Sequence, residues 1–196
     1  MVLKNTVHSY GSVAKFFHWV TAILFLISYS SIYYREWFSQ SDFQSWITIQ
    51  LHLSVGISLG GLVVLRVLWR LFNQLPNSEV DSQIQRVTIQ LGHISLYAIM
   101  IIMPISGYLS IANYLSVGGG NINYFFLFDL TFLKNVEIPD FIGTSLEQLE
   151  DPADLIHSFL GQWVVGLLVL GHVIAAIYHH VIKRDDTLNK MTFGKS

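Results

Sequence analysis

The sequence predicts an all-α fold: an integral membrane four-helix bundle, one domain over residues 1–196, with both termini cytoplasmic. Three observations carry that expectation. Hydrophobic residues make up 52% of the 196 and charged residues only 12%, against about 25% charged in a soluble domain. Four stretches are apolar over roughly the 20 residues that a helix needs to cross about 30 Å of hydrocarbon. The basic residues gather on one side of those stretches, the pattern that sets orientation in a bilayer.

Span one is expected at Phe16–Tyr34. The residues before it, Met1–Lys15, are polar, and the apolar run is long enough to cross, so it reads as a span rather than a cleavable signal. Span two is expected at Ile47–Phe72 and holds Gly56, Gly60 and Gly61. In lipid such glycines allow close approach of a neighbouring helix or a flat ligand. Span three, Val87–Ala112, contains Pro104, which should kink it. Span four is expected at Leu155–Ile182. No internal repeat relates the four.

Orientation follows from charge. Lys4, Lys15, Arg66, Arg70, Arg86, Lys183, Arg184, Lys190 and Lys195 fall on one side if the termini share it, leaving only Arg35 and Lys134 of the 11 basic residues on the other. The positive-inside rule then makes the terminal side cytoplasmic. The opposite side carries a short loop, Arg35–Trp46, and a long one, residues 113–154. The long loop sets Asp129, Glu137, Asp140, Glu147, Glu150, Asp151 and Asp154 against Lys134, a net −6. It opens on Gly118-Gly119-Gly120 and includes the run Tyr124-Phe125-Phe126-Leu127-Phe128. That run either lies along the membrane interface or packs on the bundle, and a loop of this length is functional or disordered more often than a plain connection.

Composition removes several classes of function. With no cysteine, the chain has no disulfide, iron–sulfur cluster, thiolate zinc site or covalently attached haem. A net charge of −2 lacks the basic face that nucleic acid requires.

The eight histidines are then the main candidates for metal ligands. His8, His179 and His180 fall at interfaces or in loops. His18, His52, His93, His157 and His172 fall within spans or at their ends. A polar side chain in the membrane is costly and turns toward the bundle interior, where a partner exists. Any one of them, taken singly, reads as an ordinary interhelical hydrogen-bonding group.

The set reads differently. His52 and His157 sit near the outer ends of their spans, His18 near the inner end of span one. His172 follows His157 by 15 residues. At 1.5 Å per residue that is about 22 Å deeper, and at 100° per residue the two rings differ by about 60°. Paired by depth, His52 with His157 and His18 with His172 make two bis-histidine levels. Neutral imidazole binds haem iron, and two axial ligands leave no open position, which suits electron transfer. Two histidines per level are too few for bare zinc or copper, and no carboxylate lies near either level within the spans. Two haem b groups, iron protoporphyrin IX, are the expected cofactors.

Several neighbours have two readings each. Gly56, Gly60 and Gly161 follow ligand positions at helical spacing, and either leave room for a macrocycle or serve close helix packing. His93 is placed to hydrogen-bond a haem propionate or to replace an assigned ligand. Arg66 and Arg70, one turn apart, either pair with propionates or snorkel to anionic lipid headgroups. His179, seven residues beyond His172, is either a proton-exchanging contact for bound quinone or a solvated helix end.

Ordered motifs then resemble a known family. Lys15-Phe16-Phe17-His18-Trp19 is similar to the opening of the bacterial cytochrome b561 family. So are Leu51-His52-Leu53-Ser54-Val55-Gly56-Ile57, Arg66-Val67-Leu68-Trp69-Arg70, and Leu91-Gly92-His93 with Ile105-Ser106-Gly107-Tyr108. His179-His180, Lys183-Arg184-Asp185-Asp186-Thr187-Leu188 and Met191 resemble its C-terminal signature. The likeness covers nearly the whole chain except the long third loop.

The resemblance implies a four-helix bundle of the bacterial inner membrane with two non-covalent b haems and quinone-linked electron transfer. The family's ligand positions fall on His18, His52, His157 and His172. Its fourth-span pair is commonly one residue closer together, a difference that a local bulge or tilt would absorb. The subgroup found beside periplasmic lipid-binding proteins resembles this chain more than the superoxide-oxidising type does. The function so implied links ubiquinone or ubiquinol to a periplasmic redox or lipid-binding partner. The alternatives are a superoxide oxidase, whose anionic substrate an acidic outer loop would repel, and the cytochrome b subunit of a larger oxidoreductase. A haem-free transporter would need broken helices and mid-membrane acids that this chain lacks.

Overall fold

The computed structural model describes residues 2–77, 82–111, 120–135 and 145–193. Within them stand four helices long and apolar enough to cross a membrane. α1 is Ser12–Phe38, α2 Asp42–Leu71 and α3 Gln83–Leu109. The fourth span is composite. α4, Leu146–Phe159, continues through a π-helical turn at Leu160–Val165 into α5, Gly166–Tyr178, and ends in a second π-helical turn at His179–Lys183.

Spans one and four fall within α1 and the composite fourth helix, span two runs one residue past α2 at Phe72, and span three runs past Leu109, where α3 ends; each helix starts earlier than its apolar run. Hydropathy marks only the part in hydrocarbon; the starts are set by caps outside it. Ser41 Oγ accepts from the Gln44 N–H and Ser82 Oγ from the Gln85 N–H. Ser145 and Gln148 form a reciprocal capping box. Ala112, where span three was expected to end, lies outside the described residues. So do residues 113–119 and 136–144 of the long loop, including Gly118, Gly119, Glu137 and Asp140, and Lys195 near the C-terminus.

Burial is inverted relative to a water-soluble bundle. Thr21, Ser28, Ser31, Thr48, Gln50, Ser54 and Ser106 are buried, while Leu26, Leu71 and Ile84 are among many large apolar residues left exposed. With lipid outside, apolar side chains gain nothing by turning inward, and hydroxyls and amides pack between helices instead.

Both termini meet at one end, here the near end. Lys15 Nζ donates to the Thr192 carbonyl at 2.7 Å and Trp19 Nε1 to the Met191 carbonyl at 2.9 Å. Asn5 Nδ2 donates to the Gln74 carbonyl, and the Asn77 N–H to the Val7 carbonyl. The loop between α2 and α3 therefore shares that end.

At the far end part of the long loop folds back onto α2. A two-stranded antiparallel hairpin, β1 (Asn123–Tyr124) and β2 (Phe128–Asp129), pairs Asn123 with Asp129 and Tyr124 with Phe128. A 3-10 turn follows at Thr131–Asn135. Ile122 and Ile111 are buried together against Leu53, Ile57, Leu130 and Leu133. Within the aromatic run Tyr124 and Phe125 are half-buried on the bundle, while Phe126, Leu127 and Phe128 remain exposed; the strands themselves were not anticipated.

Candidate functional site

The far level joins α2 and α4. The His52 and His157 rings lie with centroids 6.0 Å apart and planes at 86°. Both rings are tied from behind by Nδ1. His52 Nδ1 contacts the Ser28 hydroxyl at 3.0 Å and the Ser28 carbonyl at 3.3 Å. His157 Nδ1 contacts the Met103 carbonyl at 3.0 Å and the Ser106 hydroxyl at 3.2 Å. A carbonyl only accepts, so each Nδ1 carries the proton and each Nε2 keeps its lone pair. Such a bond behind a ligating imidazole selects the tautomer and fixes the ring.

Gly107 makes this arrangement possible. A Cβ there would fall 2.7 Å from Cε1 and 3.0 Å from Nδ1 of His157. The ring lies where a side chain would be. The other glycines divide. Gly56, partly buried and one turn below His52, borders open space, since a Cβ would meet nothing within 4 Å. Gly60 packs on Pro104 and Gly161 on Met103, each at 3.4 Å. Of these three Gly56 leaves a slot and the other two serve helix packing; Gly61, Gly92 and Gly171 are also unobstructed but face outward.

The near level gathers three histidines rather than two. The His18 and His172 centroids are 6.2 Å apart, and His93 also lies 6.2 Å from His172. Arg66 Nη2 donates to His18 Nδ1 at 3.3 Å. The Arg66 and Arg70 guanidinium groups stack over Tyr97 at 5.5 and 4.9 Å from the ring centre. Neither meets a carboxylate among the described residues. Trp69, packed on Phe17, buries its indole N–H without an acceptor among those residues. Burial raises the Tyr10 phenol above its ordinary pKa, against the pull of Arg70.

The spacing of rings tests what could sit between them. An imidazole nitrogen about 2.0 Å from a metal, with the ring centre about 1.1 Å beyond it, puts two opposed rings about 6.2 Å apart. The observed 6.0 Å at the far level fits that value, as does the 6.2 Å at the near level, where His18 and His93 stand equally far from His172. Among the described residues no three His, Asp or Glu side chains are arranged to hold a bare ion. A flat ligand that brings its own equatorial nitrogens fits the donor set.

The turn at Leu160–Val165 lies between His157 and His172. A π-helical turn takes one extra residue, so the 15-residue interval acts as 14 α-helical steps, leaving about 40° between the rings.

His179 lies apart from both levels. Its Nδ1 meets Asp185 Oδ2 at 2.5 Å, and the Asp185 N–H donates to the His179 carbonyl at 3.2 Å. Asp185 also accepts from the Thr187 N–H. Burial pushes the Asp185 pKa up, but the bonds from His179 and Thr187 together outweigh it and hold it at about 2. His8 and His180 are exposed.

The ties behind the histidines were missed in the sequence. Ser28, Met103 and Ser106 are common residues in a membrane span, and a backbone carbonyl leaves no trace in sequence. Gly107 and Asp185 stood within quoted motifs without an assigned role.

A family model described as prokaryotic cytochrome b561 matches residues 9–194. The chain is 32% identical over 207 aligned residues to an Escherichia coli (strain K12) protein named cytochrome b561 homolog 2, covering 100% of this chain and 97% of that protein. It is 26% identical over 177 residues to a Yersinia pestis protein named probable superoxide oxidase CybB, covering 89% of this chain and 90% of that one.

Proposed function

The chain belongs to the prokaryotic cytochrome b561 family, and from that premise we propose that it carries electrons between the quinone pool and a periplasmic partner through two b-type haems. Membership makes it a membrane cytochrome of electron transfer; the haem count, the ligands and the partners are our reading. Bound haem supplies a reversible one-electron iron couple at each level. His52 and His157 would hold one group, His18 and His172 the other. The ring spacings of 6.0 and 6.2 Å at two depths carry this reading.

The remaining roles belong to the chain's own side chains. Ser28 and the Met103 carbonyl hold Nδ1 of the far pair, so each Nε2 stays oriented. Arg66 and Arg70, which meet no carboxylate among the described residues, are positioned for the cofactor's propionates, with His93 as a further donor. The near end is basic, so we assign it to the cytoplasm and the far end to the periplasm of a bacterial inner membrane.

His179 is assigned to the quinone headgroup. Asp185 accepts from Nδ1–H, which leaves Nε2 to take the proton released by a quinol hydroxyl. Quinol oxidation releases two electrons and two protons in two successive steps. Each electron would leave singly toward the near level, seven residues away, about 10 Å along the helix, and each proton through His179 to solvent at the near end.

Alanine substitution of each ligand tests the scheme. Haem content and reduced-minus-oxidised spectra should show one haem lost in each of His18→Ala, His52→Ala, His157→Ala and His172→Ala. His52→Ala and His157→Ala should lose the same one. A variant that keeps both haems loses its assignment, and a wild type without haem ends the reading.

The likeness to a protein named a superoxide oxidase supports a second reading, superoxide-driven quinone reduction. The loop charge of −6 opposes steering of an anion, so that rate should be low in a purified-protein assay.

A further inference from the structure

We propose that residues 122–130 form a re-entrant hairpin, lying within the far leaflet against α2 with Leu127 and Phe128 in contact with acyl chains and the exposed Asp129 carboxylate, which accepts from the Thr131 N–H, at the headgroup edge. The inference does not depend on haem or quinone.

Depth is the first argument. α2 has 30 residues and is about 45 Å long, so about 30 Å of hydrocarbon centred on it begins near Ile47 and has its midplane between Gly56 and Ile57. The hairpin is bonded to residues inside that interval. Gln50 Nε2 donates to the Asn121 carbonyl and Gln50 Oε1 accepts from the Asn123 N–H, both at 2.8 Å. Ser54 Oγ accepts from the Phe125 N–H at 2.8 Å. The Tyr124 hydroxyl reaches Ser58 Oγ at 2.9 Å.

The second argument is backbone satisfaction, the condition for irregular chain at membrane depth. Besides the Asn123 and Phe125 amides, the Ile122 N–H donates to Thr131 Oγ1. The Phe126, Leu127 and Leu130 amides donate to the Asn123, Tyr124 and Ile122 carbonyls. Gln50, Ser54 and Ser58 form a polar stripe at four-residue spacing along α2, which would face lipid if the hairpin were elsewhere. The hairpin covers it.

The third argument is the tip. Phe125 and Phe126 adopt φ of 47° and 63°, left-handed conformations that are strained for such residues. The turn sets the Phe126 ring 5.7 Å from Trp46 and leaves Leu127 77% and Phe128 61% exposed. These two side chains continue the apolar outer surface of the spans, which points to lipid as their neighbour.

The chain has no cysteine, so single thiols report cleanly. Leu127→Cys in the haem-loaded protein, in phosphatidylethanolamine–phosphatidylglycerol nanodiscs, is treated with a charged maleimide. Gln40→Cys is the aqueous reference and Leu26→Cys the lipid reference. Leu127→Cys should react about tenfold more slowly than Gln40→Cys, as apolar surroundings suppress the thiolate. Unsubstituted chain in nanodiscs containing a diazirine-acyl phosphatidylcholine should give lipid adducts on the 126–128 peptide. Labelling at the Gln40→Cys rate overturns the proposal. Slow labelling without lipid adducts also overturns it, and reports a second copy of the chain as the neighbour. If Leu127→Cys does not fold, the adducts on unsubstituted chain decide alone.

Discussion

The His157 ring occupies the space that a side chain on Gly107 would need. Gly107→Ala should therefore displace the ring and cost the far haem while sparing the near one, read from haem content and difference spectra. Alanine favours a helix over glycine by about 1 kcal/mol, so the helical circular-dichroism signal should persist; loss of both haems would show that the effect is global. Asp185 makes a prediction in pH. Its carboxyl titrates at about 2 in the fold, below the ordinary value near 3.9. A depressed acid stabilises fully above its unfolded pKa, and that contribution fades as pH falls from about 4 to 2. The thermal midpoint of wild type should then fall toward that of Asp185→Asn across this window and exceed it above. Equal midpoints at neutral pH would mean that the His179–Asp185 contact contributes nothing. Neither role is visible in sequence, because each depends on what the residue touches rather than on its type.

At the scale of the element, the fourth span shows how much of a helix can be read in advance. The interval between His157 and His172, one residue longer than the family's, called for a bulge or tilt. Its place, Leu160–Val165, could not be read, since each of those residues also suits a regular helix. Deleting the exposed Gln162 should return the turn to an α-helix and retain both haems. Inserting alanine after Gly166 should instead rotate His172 by about 100° and cost the near haem. If the deletion loses a haem and the insertion does not, the turn is not what aligns the two rings. The starts of α1, α2 and α3 were legible to within about a turn and a half, but α4 starts nine residues before Leu155, because polarity marks the hydrocarbon edge while caps such as Ser41 and Ser145 lie beyond it.

For the whole molecule, the near-end bonds that join both termini to the α2–α3 loop make an even number of crossings. A fluorescent protein fused after Ser196 should glow if that end is cytoplasmic, and alkaline phosphatase inserted between 113 and 119 should be active. The reverse pattern would invert the orientation. Hydropathy, charge and the rise of a helix are properties of short stretches of chain, so the span count, the basic end and the two histidine depths could be read from them. Azimuth could not. That His93 joins His172, that Ser28 stands behind His52 at a sequence distance of 24 and Met103 behind His157 at 54, and that a loop lies on Gln50 from 71 residues away all depend on how helices rotate and pack. Packing is a balance over contacts between distant residues, so these features exist only once the bundle has closed.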